Sequence, residues 1–237
     1  MKPRLFVLLF LCLRAMPLGA QSTDAQARER IDYLQKRFDE GQGSAKIWWW
    51  GWLWGYAGMT AAQMGIYFAV PADSEENQTT RDILLVGAAS SFLGVIGQII
   101  TPMTPAYAGD ELRALPEGTA QQRAEKLRRG EALLKESAER EEFGRSWIAH
   151  GACVVVNLGA GLIIWQGMHH SFTDGLVNFG AGMLISEIQI FTQPMRAMHD
   201  LAEYRRRYGE GAVTSLRRQS DWYLQAGLTG FKAGVYF

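Results

Sequence analysis

Four long apolar stretches alternate with charged segments along this chain. They cover residues 47–70, 83–101, 147–168 and 172–193. Each is about the length that an α-helix needs to cross the hydrocarbon core of a bilayer. The first stretch is diluted by Trp, Tyr and Gly, and the fourth contains Glu187, so the second and third match a span better. Four buried core helices of a soluble protein are the alternative interpretation.

Aromatic and glycine residues favour the membrane interpretation. Tryptophan occupies positions 48–50, 52 and 54 at the start of the first stretch, and Trp147 and Trp165 lie near the ends of the third. Aromatic rings prefer the interface between lipid and water. A soluble helix seldom contains this many glycines, because each costs about 1 kcal/mol relative to alanine. We therefore predict that lipid surrounds these stretches.

The apolar stretches recur as an internal duplication. Asp82 begins a stretch that reaches Pro102 twenty residues later, and Asp174 begins one that reaches Pro194 at the same distance. The charged segments 124–132 and 202–210 also resemble each other. This pattern predicts two helical hairpins of the same orientation, related by an axis along the membrane normal.

The charged segments between the hairpins have the spacing of amphipathic helices. Thr23 with Gln26, and Thr119 with Gln122, form capping-box patterns ahead of apolar residues at helical intervals. Packing of these arms within the molecule is favoured over a partner-binding role. The predicted fold class is all-α: a polytopic membrane protein of four transmembrane helices, arranged as two duplicated hairpins with amphipathic arms. The predicted segments are a signal peptide at 1–20, an arm at 21–46, a hairpin at 47–105, an arm at 106–145, a hairpin at 146–195, and a C-terminal arm and tail at 196–237.

The first twenty residues have the pattern of a secretory signal. Lys2 and Arg4 precede a nine-residue apolar core at 5–13, and Ala20 offers a small residue before a cut. An uncleaved anchor is the alternative. Cleavage would leave Cys153 as the sole cysteine, so no intrachain disulfide could form. The signal places the protein in the bacterial envelope, with the inner membrane favoured over the outer membrane.

Two orientation signals disagree. A signal peptide places the three arms in the periplasm and the two short turns in the cytoplasm. The positive-inside rule predicts the reverse, because the arms carry nearly all the Lys and Arg while the turns hold only Arg81. We give the signal more weight, since long segments translocate despite their charge.

Small residues recur at helical spacing within the apolar stretches. The first stretch has Gly51, Gly55, Gly58, Ala62 and Gly65; the second has Ser90, Gly94, Gly97 and Thr101, which align with Gly182, Ser186, Gln189 and Gln193 of the fourth. Such stripes allow helix backbones to approach closely. They predict the seam of a compact four-helix unit, and also a contact with a protein partner or a second copy.

Glu187 is the strongest candidate for a functional residue. A carboxylate in the middle of a transmembrane helix is costly and often marks an ion or proton path. The sequence offers Gln189 and Ser186 nearby, with His150 and Asn157 on another helix. A protonated Glu that is hydrogen-bonded at a helix seam, or a Glu near a water-exposed crevice, is the structural alternative, which we favour.

Other chemical signals are weak. His169 and His170 with Asp174 could ligate a metal at the membrane surface, although adjacent histidines in a turn are more often solvated. The sequence has no phosphate-binding loop or zinc motif, so we predict no cofactor. Lys plus Arg and Asp plus Glu number 24 each, which gives no reason to expect nucleic acid as a partner.

The C-terminal tail alternates in polarity and ends in Phe237, as the final strands of outer-membrane barrels do. No other segment has that alternation, so an interfacial segment or an incomplete third repeat is favoured. The leading functional hypothesis is a non-enzymatic envelope membrane protein that serves as a scaffold subunit. The alternative is a small ion or solute conduit that uses Glu187.

Overall fold

A computed structural model describes residues 18–209, 221–227 and 230–236 of the chain, with side chains described for residues 23–209. The predicted signal peptide therefore lies outside the described residues except for positions 18–20. Seven helices are present in the described part: α1 Leu18–Ala69, α2 Glu75–Ile100, α3 Ala108–Ala114, α4 Ala120–Gly144, α5 Trp147–Leu162, α6 Phe172–Thr192 and α7 Arg196–Tyr208. A 3-10 turn at Thr104–Ala106 precedes α3, and a π turn at Ile163–Gly167 extends α5.

Helix α1 joins the first arm to the first apolar stretch without a break. The predicted boundary between residues 46 and 47 lies inside this helix. No proline occurs between Pro17 and Pro71, so nothing in the sequence forces an interruption. The prediction that Thr23 caps the arm is wrong, because the helix begins at Leu18. The C-terminal end of α1 is capped by Arg81, whose Nη1 donates to the carbonyl oxygens of Tyr67 at 2.9 Å and Val70 at 2.7 Å.

Most other helices begin at side-chain caps. Thr119 and Gln122 form the predicted capping box of α4, and Ser171 and Asp174 form one for α6. Ser146 caps α5 and separates it from α4. The second arm and the second hairpin therefore consist of separate helices, whereas the first arm continues into the first hairpin as the single helix α1. Proline residues follow α2 and α6 rather than kinking them, as expected of residues that cannot continue a helix.

The N-terminal part of α1 (residues 23–46), α3, α4 and α7 form a compact helical unit, here called the arm bundle. Its core contains Leu34, Phe38, Ala108, Leu112, Leu133, Leu134, Ala138, Ala197, Leu201 and Tyr204. The arms thus pack against one another, which confirms the preference for intramolecular packing of their apolar stripes.

The second part of α1 (residues 47–69) pairs with α2, and α5 pairs with α6; together these four segments form the hairpin layer. The hairpins meet where α2 contacts α5, through Val86, Ala160 and Ile164. Both outgoing helices, α2 and α6, end beside α4 of the arm bundle. The two hairpins therefore have the same orientation, as the predicted duplication requires.

Within residues 18–209, 221–227 and 230–236, two helices are long and apolar enough to cross a membrane: Glu75–Ile100, and Trp147–Gly167 including the π turn. In each, only 22% of the most apolar 18-residue window is buried within the fold, whereas the core helix of a soluble protein would be mostly buried. The all-α prediction is confirmed for the body of the protein. Length and hydropathy do not identify the first and fourth apolar stretches as spans, because the first is rich in glycine and the fourth contains polar residues. The prediction of four spans is therefore not confirmed.

The small residues do not all lie where the sequence predicts. In the second hairpin, Gly161 and Gly175 bring two backbones together: a Cβ atom on Gly161 would lie 2.7 Å from the Gly175 carbonyl oxygen. In the first hairpin, Gly94 accommodates the ring of Tyr56. The stripe of the first stretch is different, since a Cβ atom at any of its four glycines would meet no other atom within 4 Å. That stripe is exposed and is not a seam within the chain.

The tail forms two antiparallel strands, β1 Asp221–Gly227 and β2 Gly230–Tyr236, with Asp221 opposite Tyr236. Aromatic residues occur in both strands, and these favour strand over helix. Residues 221–227 and 230–236 are therefore not a third helical repeat, and they form the only strands in the described part of the chain.

Candidate functional site

Glu187 of α6 faces His150 of α5 across the second hairpin. The Nδ1 atom of His150 lies 3.0 Å from the carboxylate of Glu187, and the two side chains are 34% and 29% exposed. Glu187 lies five residues before the end of α6 and His150 three residues after the start of α5. At 1.5 Å per residue, both are within about 8 Å of the helix ends that face the arm bundle. Glu187 is thus not in the middle of its helix, which corrects the prediction.

Asn157 belongs to a second, deeper cluster. Its Nδ2 donates to the carbonyl oxygen of Cys153 at 2.8 Å and to Ser186 Oγ at 3.1 Å. Gly182 provides the space, because a Cβ atom there would lie 1.9 Å from Asn157 Oδ1. Asn157 is buried, and its hydrogen bonds join α5 to α6.

Gln189 faces α1 and is not joined to Glu187 by a hydrogen bond. Its Oε1 accepts a hydrogen bond from Tyr56 OH at 2.7 Å, and its backbone carbonyl oxygen accepts one from Trp48 Nε1 at 3.2 Å. These contacts join the first hairpin to the second. Tyr56 and Trp48 were missed by the sequence analysis, which treated the aromatic residues of this stretch as interface anchors.

The four predicted site residues therefore make three separate contacts rather than one site. Each contact satisfies polar groups between helices, and buried polar groups need such partners. The His150 and Glu187 pair could exchange a proton. Within the described residues, the pair does not belong to a group of three side chains that could hold a metal ion.

His169, His170 and Asp174, the predicted metal ligands at the opposite end of the hairpin layer, do not form one site. His170 Nε2 lies 2.9 Å from Asp82 of α2, and its Nδ1 lies 3.2 Å from Thr79 Oγ1. His169 is exposed with a φ of 61°, and Asp174 caps α6. No three metal-ligating side chains converge in the part of the chain with described side chains. His170 instead connects the second turn to the first hairpin.

Helix α4 holds the ends of both hairpins, a role that the sequence analysis missed. Arg140 Nη2 donates to the carbonyl oxygen of Thr101 at 3.1 Å, at the end of α2. Arg145 Nη2 donates to the carbonyl oxygens of Phe191 at 2.6 Å and Gln193 at 3.0 Å, at the end of α6. Thr101 and Gln193 are equivalent positions of the predicted duplication, so these two arginines bind the ends of both hairpins at matching positions.

Glu141, between these arginines, attaches α7 to α4. Its Oε2 accepts a hydrogen bond from the backbone N–H of Met198 at 3.0 Å, in the first turn of α7. Met195 at the N-cap of α7 makes no side-chain cap, so Glu141 supplies one from a neighbouring helix. Burial raises the pKa of Glu141 to about 7, although the hydrogen bonds from backbone N–H groups oppose this.

A second buried carboxyl, Glu131, lies deeper in the arm bundle. It accepts a hydrogen bond from Tyr204 OH at 2.6 Å and pairs with the guanidinium of Arg30. Burial raises the pKa of Glu131 above its usual range, because it outweighs the effects of these two partners. The cluster joins α1, α4 and α7.

Comparison of the chain with models of protein families, with curated proteins and with solved structures finds no match. The functional inferences therefore rest on the residues and contacts described above.

Proposed function

We propose that this protein is a non-enzymatic scaffold subunit of the bacterial cell envelope, embedded by its hairpin layer and presenting a rigid arm bundle. One observation carries the proposal. Every exposed large apolar side chain with a described position lies between residues 47–107 or 143–191, and none lies in the rest of residues 23–209. Soluble monomers rarely expose contiguous apolar patches of this kind.

The proposed membrane region includes all four helices of the hairpin layer. The two that fall short on hydropathy still expose large apolar side chains: Phe68 on α1, and Leu184, Ile188 and Phe191 on α6. Exposed tryptophans mark the arm-bundle end of the layer, where Trp147 is 81% exposed and Trp50 and Trp54 lie on α1. Aromatic rings at this position suit the lipid headgroup region.

The arm bundle supports a structural role because it is cross-linked. Ion pairs join its helices at several points, including Arg123 with Asp24 at 2.6 Å and Lys46 with Asp110 at 2.9 Å. The arginine caps from α4 fix this bundle to both hairpins. A rigid unit held at a constant position above the membrane suits a scaffold better than an enzyme, which needs a cleft with converging reactive groups.

A second copy of the chain, or another membrane helix, is the proposed partner. The supporting feature is the exposed stripe of Gly51, Gly55, Gly58, Ala62 and Gly65 on α1. A helix with small residues on one face allows close backbone contact in lipid. The proposed location is the inner membrane, with the arms in the periplasm.

Membrane extraction and cysteine labelling test this proposal. The protein should stay in the pellet after alkaline carbonate washing and dissolve only in detergent. Single cysteines placed in a Cys12→Ser, Cys153→Ser background at exposed Glu139 and Ser171 should then differ in labelling from outside the inner membrane. Labelling at Glu139→Cys alone supports periplasmic arms, labelling at Ser171→Cys alone reverses the orientation, and a freely soluble protein rejects the proposal.

A conduit is the second candidate function, and the His150 and Glu187 pair is the observation that favours it. Replacement Glu187→Gln separates the two functions. Loss of ion flux in liposomes with unchanged assembly supports the conduit, whereas loss of assembly supports the scaffold. Asn178→Gln, on the same helix away from the pair, is a control.

A further inference from the structure

A small cavity lies where α1, α4 and α7 meet, beside the ends of both hairpins. Its volume is about 20 Å³, and polar side chains from all three helices line it: Arg37, Ser137, Glu141, Arg196 and Asp200. A cavity of this size holds a single water molecule when polar partners are available. It lies outside the polar contacts of the hairpin layer and takes no part in the proposed scaffold function.

Two buried oxygen atoms in the lining have no partner. Ser137 is fully buried and Glu141 is 1% exposed. Neither Ser137 Oγ nor Glu141 Oε1 makes a hydrogen bond within the described part of the chain. A buried polar atom without a partner costs about 1–3 kcal/mol, so two in one cavity indicate an occupant that bonds to both.

The charged groups around the cavity are paired with one another. From α1, Arg37 lies 3.6 Å from Asp200 of α7. From α7, Arg196 Nε lies 3.2 Å from the same carboxylate. Arg145, at the C-cap of α4, favours the charged form of Glu141, whereas Asp200 of α7 disfavours it. None of these groups bonds to Glu141 Oε1, so this atom remains available to a water molecule.

We propose that the cavity binds one water molecule that bridges Ser137 Oγ and Glu141 Oε1, and that protonation of Glu141 through this water makes the junction of α4 and α7 sensitive to pH. With Glu141 ionised, the water donates to Oε1 and accepts from the Ser137 hydroxyl. With Glu141 protonated, Oε1–H donates to the water, which donates to Ser137 Oγ. Glu141 Oε2 accepts from Met198 N–H in both states.

The direction of the pH effect follows from burial. The pKa of Glu141 in the folded protein is about 7, above its usual value of 4.5. The folded state then holds a proton that the unfolded state releases between these two values. The contribution of protonated Glu141 to stability is complete below pH 4.5 and is lost as the pH rises through about 7. Above that range the buried carboxylate weakens the junction.

Infrared spectroscopy of the full-length protein in detergent tests the proton site. The spectrum of the wild type should contain a protonated carboxyl band that titrates with a midpoint near 7 and is absent from Glu141→Gln. The Glu142→Gln variant changes the exposed neighbouring carboxylate and should retain the band. A wild-type midpoint near 4.5, or an undiminished band that titrates near 7 in Glu141→Gln, would overturn the proposal; the wild-type titration decides this even if that variant fails to fold.

The Ser137→Ala variant tests the water bridge. Removing the hydroxyl takes a donor from the water that solvates the carboxylate, so the infrared midpoint should shift upward. An unchanged midpoint would show that no water couples the two side chains. Thermal unfolding supplies an independent readout: the midpoint temperature of the wild type should fall from about pH 5 to about pH 8.5, and less so in Glu141→Gln. Glu131 and Asp200, whose pKa values are also raised by burial, account for the residual slope.

Discussion

Helix α1 passes through two regions of the molecule, and its apolar side chains are mostly buried in one region and often exposed in the other. In the arm bundle its Ile31, Leu34 and Phe38 are buried, while its charged residues face outward or form ion pairs. In the hairpin layer the same helix exposes Trp54 and Phe68. One continuous backbone thus carries a pattern typical of water and then one typical of lipid.

The difference shows that each region has its own source of stability. The arm bundle buries apolar side chains away from water, and this hydrophobic burial drives its folding. In the hairpin layer, which we propose lies in lipid, dispersion and hydrogen bonds hold the helices together, because lipid is as apolar as a leucine side chain. The same substitution should therefore have different effects in the two regions.

Truncation of a leucine is expected to have the largest effect and the largest difference between regions. Leu134→Ala in the core of the arm bundle should lower the free energy of unfolding by about 2–5 kcal/mol, because it leaves a cavity. Leu184→Ala on the exposed face of α6 should change it by less than about 1 kcal/mol, since detergent replaces the lost contacts. Chemical denaturation in micelles measures both; equal losses would remove the distinction between the regions.

Overpacking should affect the hairpin layer where two backbones touch. Gly161→Leu places a side chain against the Gly175 carbonyl oxygen and should cost about 1–3 kcal/mol. Gly159→Leu, two residues away with open space around its Cβ position, is the matched control and should be tolerated. Thermal unfolding followed by circular dichroism distinguishes them, and similar stability of both variants would argue against this helix contact.

The connection between the two regions should depend on Arg145. Arg145→Met removes the donor to the carbonyl oxygens at the end of α6 and should cost about 1–3 kcal/mol. Limited proteolysis should then cleave between α6 and α7 more rapidly. Arg206→Met at an exposed position of α7 serves as the control. An unchanged cleavage rate in Arg145→Met would show that the cap does not join the layers.

The smallest effect is expected for an exposed ion pair of the arm bundle. Arg113 lies 2.6 Å from Asp39, and both side chains are largely exposed. Arg113→Ala should leave the free energy of unfolding nearly unchanged, and the small difference should shrink further as salt screens the charges. A larger effect that is insensitive to salt would place this pair in a less solvated environment than the structure has.

The sequence predicted the features that depend on periodicity and local caps. Helices cover the four apolar runs as expected, and α2 and α6 end just before Pro102 and Pro194. The predicted Thr119 cap of α4 is also present. Helical spacing also identified the apolar residues that pack in the arms. Such features depend on neighbours within a few positions along the chain, so they can be read without knowing the tertiary fold.

The site was predicted less well, because its contacts depend on helix phase and on the backbone. His150 does meet Glu187, but Gln189 points toward α1, two positions and half a turn away. The arginine caps of α4 bind carbonyl oxygens, which every residue carries and which leave no sequence signal. The start of α1 at Leu18 could not be predicted either, since Thr23 resembles a cap in isolation.

Spin-label accessibility in liposomes tests the central claim, that lipid surrounds all four helices of the hairpin layer, most directly. Labels at Phe68 and Leu184, on the two helices with the weaker hydropathy, should collide readily with oxygen dissolved in lipid and poorly with a water-soluble nickel reagent. A label at Glu139 of the arm bundle should show the opposite preference. Strong collision with nickel at Phe68 and Leu184 would place these helices in water and contradict the account.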